Sequence, residues 1–158
     1  MPSEFNANDI FEMAKKIEKN GVIFYRNAAK QVDVQKYKDF LLELATMEEA
    51  HEKIFDTMQK ELKEEDAFPT TFDPNDENIL YLKALADTRI FFKKEKPEES
   101  LNGILSTAIQ TEKDSISFYL GMKELIPAKF GLSKIDDIIK EEMNHIRILA
   151  GKLTQYSQ

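Results

Sequence analysis

Residues 48–51 read Glu48-Glu49-Ala50-His51, and residues 142–145 read Glu142-Met143-Asn144-His145. These two stretches hold both histidines of the 158-residue chain, each three positions after a glutamate. A further glutamate stands thirty residues upstream of each pair, at Glu18 and Glu112, so one shift of 94 residues superposes the two sets. Residues three apart share a face of a helix, and each Glu-x-x-His therefore presents a carboxylate beside an imidazole. Four carboxylates and two imidazoles brought together in a bundle core form the ligand set of a two-metal carboxylate site.

The shift extends beyond the six residues. It carries Ile10 onto Ile104, Ala14 onto Ala108, Lys19 onto Lys113, Phe24 onto Phe118, Tyr25 onto Tyr119 and Ile54 onto Ile148. An internal repeat of this length is the mark of a duplicated unit. In an antiparallel helical hairpin, residues equidistant from the turn lie at one height. The midpoint of Glu18 and Glu48 is Asp33, a helix N-cap candidate, and that of Glu112 and Glu142 is Pro127, within a breaker-rich stretch ending at Gly131 and Ser133. Each ligand then stands about fifteen residues, roughly 22 Å of helix, from its turn.

Working outward, the apolar spacing of Ile10, Ala14, Ile17, Gly21, Phe24 and Ala28 predicts a helix over about 8–30. Tyr37, Leu41, Leu44, His51, Ile54, Phe55, Met58 and Leu62 predict a second over about 34–63. The polar segment 64–78 reads as a linker into a short apolar helix over about 79–92, with a break at 93–97. Two more long helices are expected over about 97–125 and 133–156, the second capped by Ser133. The expected fold is all-α: one domain over 1–158, a four-helix bundle of two duplicated hairpins (about 8–63 and 97–156) joined by a crossover (64–96) holding a short extra helix.

Composition narrows the function. A net charge of -7 argues against nucleic-acid binding, which needs a basic surface. No apolar stretch approaches bilayer length, and the first residues carry neither a basic nor an apolar segment, so a cytoplasmic location is expected. With no cysteine, the chain has no disulfide, thiol catalyst or iron–sulfur site of its own.

Four buried carboxylates would repel one another and take up protons unless divalent cations supplied the opposing charge. Carboxylate-rich ligation with two imidazoles suits iron or manganese better than structural zinc. Tyr25 and Tyr119, two turns beyond Glu18 and Glu112, share the inward face. Their hydroxyls either hydrogen-bond to ligating carboxylates of a facing helix or simply pack in the core. Phe24, Phe118, Leu44 and Ile138 are expected in the core. Glu49, Glu52 and Glu141 are expected in solvent, and the acidic run 61–66 at a helix end.

The pattern Glu18…Glu48-x-x-His51…Glu112…Glu142-x-x-His145 resembles the ferritin-like diiron carboxylate superfamily, most closely its rubrerythrin-like branch, over about residues 8–155. The resemblance implies two irons bridged by Glu48 and Glu142, with Glu18 and His51 completing one site and Glu112 and His145 the other. It implies reaction of a diferrous centre with hydrogen peroxide or dioxygen, in peroxide detoxification or iron handling. Two departures are visible. Peroxidase-type rubrerythrins carry a further glutamate three residues after the first ligand of the third long helix, where this chain has Ser115. Full-length rubrerythrins also carry a rubredoxin module, so electrons here are expected from a separate donor protein. A homodimer is the expected assembly. Iron sequestration with ferroxidase activity is the alternative, and a metal-free helical interaction module the rival from another class.

Overall fold

The computed structural model describes residues 6–62, 77–88 and 100–157. Among these there are five α-helices and no strand: α1 (Ala7–Gln31), α2 (Gln35–Lys60), α3 (Glu77–Thr88), α4 (Leu101–Leu125) and α5 (Leu132–Ser157). The last four residues of the segment expected over 79–92, the break at 93–97, the start of the helix expected from 97 and most of the linker expected over 64–78 lie outside the described residues.

Helix α1 starts where its sequence tells it to. Asn6 accepts from the Asp9 N–H at 3.1 Å while the Asp9 carboxylate accepts from the Asn6 N–H at 2.9 Å, a reciprocal cap. Asp33 does not cap α2; the cap position is Val34, with no side-chain bond. Three non-helical residues, 32–34, suffice to reverse the chain, which leaves Asp33 in the middle of the turn. Ser133 is likewise inside α5, one residue after its start. The reversal before it is made instead by a 3-10 turn, Ala128–Phe130, that closes on Gly131 at φ 85°, a left-handed conformation suited to glycine. Ser100 caps α4 by accepting from the Gly103 N–H at 3.0 Å.

Helix α1 packs along α2, and α4 along α5, as two antiparallel hairpins; α3 lies against α4. The apolar interior is divided in two. One cluster gathers Ile10, Phe11, Ala14, Ile17, Phe55, Met58, Phe118, Met122, Ile135 and Ile138, with Leu82 of α3 joining it. The other gathers Val22, Ala28, Leu41, Leu44, Leu101, Ile104, Leu105 and Leu149. Along every long helix the residues between the two clusters are polar: Glu18 on α1, Glu48 and His51 on α2, Glu112 on α4, Glu142 and His145 on α5. Phe118, Leu44 and Ile138 are buried as expected, but Phe24 is only half-buried. It sits one residue, roughly 100° of helix, from the fully buried Tyr25 and packs edge-on against that ring. Among the described residues no helix is long and apolar enough to cross a membrane.

Candidate metal centre

The two hairpins bring all six sequence-identified side chains into one layer, each at most 2% exposed. They form two overlapping groups: Glu18, Glu48, His51 and Glu142, and Glu48, Glu112, Glu142 and His145. Within each group one donor atom per residue lies within 4.8 Å of the others. Glu48 and Glu142 belong to both. His51 Nδ1 stands 2.7 Å from Glu142 Oε1 and 3.6 Å from Glu18 Oε1. His145 Nδ1 stands 3.4 Å from Glu48 Oε1, 3.5 Å from Glu112 Oε1 and 3.7 Å from Glu142 Oε2. The two imidazoles stack with centroids 6.1 Å apart.

A buried polar atom without a hydrogen bond costs about 1–3 kcal/mol, more if charged. Among the described residues, nine buried side-chain oxygen or nitrogen atoms lack such a partner, and eight of them belong to these six residues. His51 Nδ1 is one, since its approach to Glu142 does not have hydrogen-bond geometry. Atoms left unpaired by the protein and pointed at one another are what a cation would satisfy. Oxygen donors with two imidazoles fit a divalent first-row metal, so the residues present suit the group that their pattern implies.

The electrostatics carry the same strain. Burial, then the charges of Glu142 and Glu18, hold the Glu48 carboxyl well above the usual range. Burial would also raise Glu142, but His145 and His51 beside it bring it below the ordinary value. Burial would lower His51, yet the carboxylates of Glu142 and Glu18 outweigh it and push it up to about 11. Without a metal, these shifts favour a proton on Glu48 and on His51 and an ionised Glu142.

The tyrosines resolve in favour of hydrogen bonding. Tyr25 Oη donates to Glu112 Oε1 and Tyr119 Oη to Glu18 Oε1, each at 2.5 Å, so each phenol reaches from one hairpin to the carboxylate of the other. Burial, followed by the nearby carboxylates, raises both phenols well above their usual value, which keeps the donated protons in place. Glu49 behaves as expected, pairing at the surface with Arg26 at 2.9 Å.

Two contributors were not assigned a role from sequence. Gly21 packs against Glu48, where a Cβ would stand 3.4 Å from Glu48 Cγ and Oε2. Its place three residues after Glu18, on the ligand face, was the available signal. Glu141, expected in solvent, is half exposed but its carboxylate contacts His51 Nε2. No spacing rule within one helix could have found a contact made across the bundle.

Comparison with known proteins now bears on this geometry. Residues 9–89, just over half the chain, match the family described as Rubrerythrin. The chain belongs to the rubrerythrin family. A solved structure from Thermotoga maritima, a "putative ferritin-like diiron-carboxylate protein", is similar at 25% identity and a TM-score of 0.71, over 96% of each chain. Among curated proteins, no sequence matches at a significant level. The rubrerythrin match covers the first hairpin, with Glu18, Glu48 and His51, and extends through α3. The structural likeness spans both hairpins. In this rubrerythrin the position where peroxidase-type members carry an extra glutamate is a buried Ser115, whose hydroxyl donates to the Thr111 carbonyl at 3.0 Å.

Proposed function

We propose that this rubrerythrin holds two iron ions, with manganese the alternative metal, and acts as an oxidoreductase on hydrogen peroxide or dioxygen. The observation that carries the reading is the pair of four-residue groups sharing Glu48 and Glu142. Glu18 and His51 would hold one ion and Glu112 and His145 the other, with Glu48 and Glu142 reaching both. Two ferrous ions so held supply two electrons, enough with two protons to reduce hydrogen peroxide to two waters. The protein's own part is positioning. Tyr25 and Tyr119 each fix one oxygen of a carboxylate, while Glu112 Oε2 and Glu18 Oε2 stay buried without a hydrogen-bond partner. The apolar clusters above and below keep bulk water from the layer. No cysteine of this sequence could hold a relaying cluster, so the proposal assigns the return of electrons to a separate donor protein.

The test is an anaerobic Fe(II) titration of the metal-free chain, followed by addition of peroxide or air. Two irons per chain and steady peroxide consumption with an added reductant support the reading; no binding, or one weak site, overturns it. Ser115 favours a second reading, ferroxidase-type iron sequestration, since it leaves no additional carboxylate beside Glu112. Two irons retained without turnover would select it. The phenols make a separate prediction. Tyr25→Phe is expected to leave the stoichiometry at two but weaken Fe(II) binding by roughly tenfold or more. Calorimetric titration decides this, and an unchanged affinity would reduce Tyr25 to packing.

A further inference from the structure

The duplication makes the two halves of the centre alike, and at one point they differ. His51 turns Nδ1 toward Glu142 and Glu18 and offers Nε2 to the Glu141 carboxylate. His145 turns Nδ1 toward Glu48 and Glu112, but its Nε2 is buried with no hydrogen-bond partner. The residue that the 94-residue shift pairs with Glu141 is Met47, whose thioether is at best a weak acceptor.

We propose that Glu141 is a positioning residue for His51 alone, and that the Glu18–His51 half of the centre is therefore the tighter of two unequal subsites for a divalent first-row cation. The proposal rests on the two-metal reading above. An imidazole that ligates through Nδ1 must carry its proton on Nε2, and the acceptor of that proton fixes both tautomer and ring orientation. A carboxylate in that place also makes the ligating nitrogen more basic, and loss of such a partner costs ten- to a hundredfold in metal affinity. His51 has this partner before any metal arrives. His145 must ligate with an Nε2–H that nothing accepts, at the cost of a buried, unpaired donor. The first ion to arrive should therefore settle with Glu18 and His51, and the second with Glu112 and His145.

Cobalt(II), whose ligand-field bands report its coordination, is the probe, titrated anaerobically into the metal-free full chain. The unsubstituted chain is expected to bind two ions in steps separated by about tenfold or more. Glu141→Ala should weaken the first step by roughly ten- to a hundredfold, shift the bands of the first-bound ion and leave the second step within about twofold. Glu141→Gln keeps an acceptor oxygen without the charge and should recover part of the loss. Glu141 is 52% exposed, so neither substitution opens the core. Two cobalt ions bound with both steps unchanged in Glu141→Ala, or both weakened equally, overturn the inequality and leave the two-metal reading standing. Failure of the unsubstituted chain to bind two ions overturns that reading itself.

Discussion

Glu48→Gln is expected to abolish two-metal binding and, in the same protein, to raise the melting temperature of the metal-free chain. Both effects follow from where the carboxyl sits. Glu48 is 2% exposed, belongs to both donor groups, and has an Oε1 that no hydrogen bond satisfies. Its proton affinity is raised, first by burial and then by Glu142 and Glu18. Above the ordinary carboxyl range, folding must therefore either bury a charge among like charges or force a proton onto the group, and each costs stability. A neutral isostere removes that cost without opening a cavity. Relief of about 1–3 kcal/mol, at about 2–4 °C per kcal/mol for a chain of this size, amounts to a rise on the order of 5 °C. Calorimetry of the metal-free proteins measures it, and Fe(II) titration should give fewer than one ion per chain where two are expected of the unsubstituted protein. Retention of two ions, or a lower melting temperature, would mean that Glu48 contributes to the fold rather than to a metal.

Raising the pH should weaken the metal-free protein while enlarging the stabilisation that Fe(II) confers. His51 titrates at about 11 in the folded chain against 6.5 for an ordinary histidine. The native state thus holds the extra proton between those values, and its contribution, complete below about 6.5, is lost as pH climbs toward 11. Glu48 has the same sign, beginning at the ordinary carboxyl value. Glu142 has the opposite sign: its lowered value contributes stability above the ordinary carboxyl range and loses it only on acidification. From neutrality upward the first two groups set the trend, and the melting temperature of the metal-free chain should fall. Metal ions compete with protons for the same atoms, so binding strengthens over the same window. Free metal at a thousand times Kd adds about 4 kcal/mol per site, or a shift of roughly 10 °C. Melting curves at pH 6, 7 and 8, with and without Fe(II) under nitrogen, measure both trends. A metal-free protein that gains stability from pH 6 to 8 would contradict the protonated centre.

Much of this was legible in the chain because burying charge is costly enough to leave a trace in sequence. Glu18 and Glu112 stand where the apolar spacing calls for a hydrophobic residue, and duplication wrote that departure twice. Both turn midpoints also agree with the reversals at Val32–Val34 and around Pro127. What sequence missed was local or lateral. Asp33 has the chemistry of a cap, but the chain turned so tightly that the cap position fell to Val34. Phe24 is as apolar as Tyr25, yet helical rotation gave the interior to the residue with a hydroxyl to donate. Glu141 looked like one of a tandem acid pair, because its partner lies ninety residues away on another helix.

The division of the interior into two apolar clusters has a mechanical consequence. Both clusters draw on all four long helices, so the bundle is glued at its two ends, while the carboxylates crowded at its waist work against that packing. Helices ordinarily fray from their tips inward. In the metal-free chain the layer between the clusters, held across the hairpins by the Tyr25–Glu112 and Tyr119–Glu18 hydrogen bonds, is expected to be the weaker part. Amide hydrogen exchange along α1 and α4 would measure it. A cation bound by both donor groups would act as a rivet through the waist, joining side chains of all four long helices.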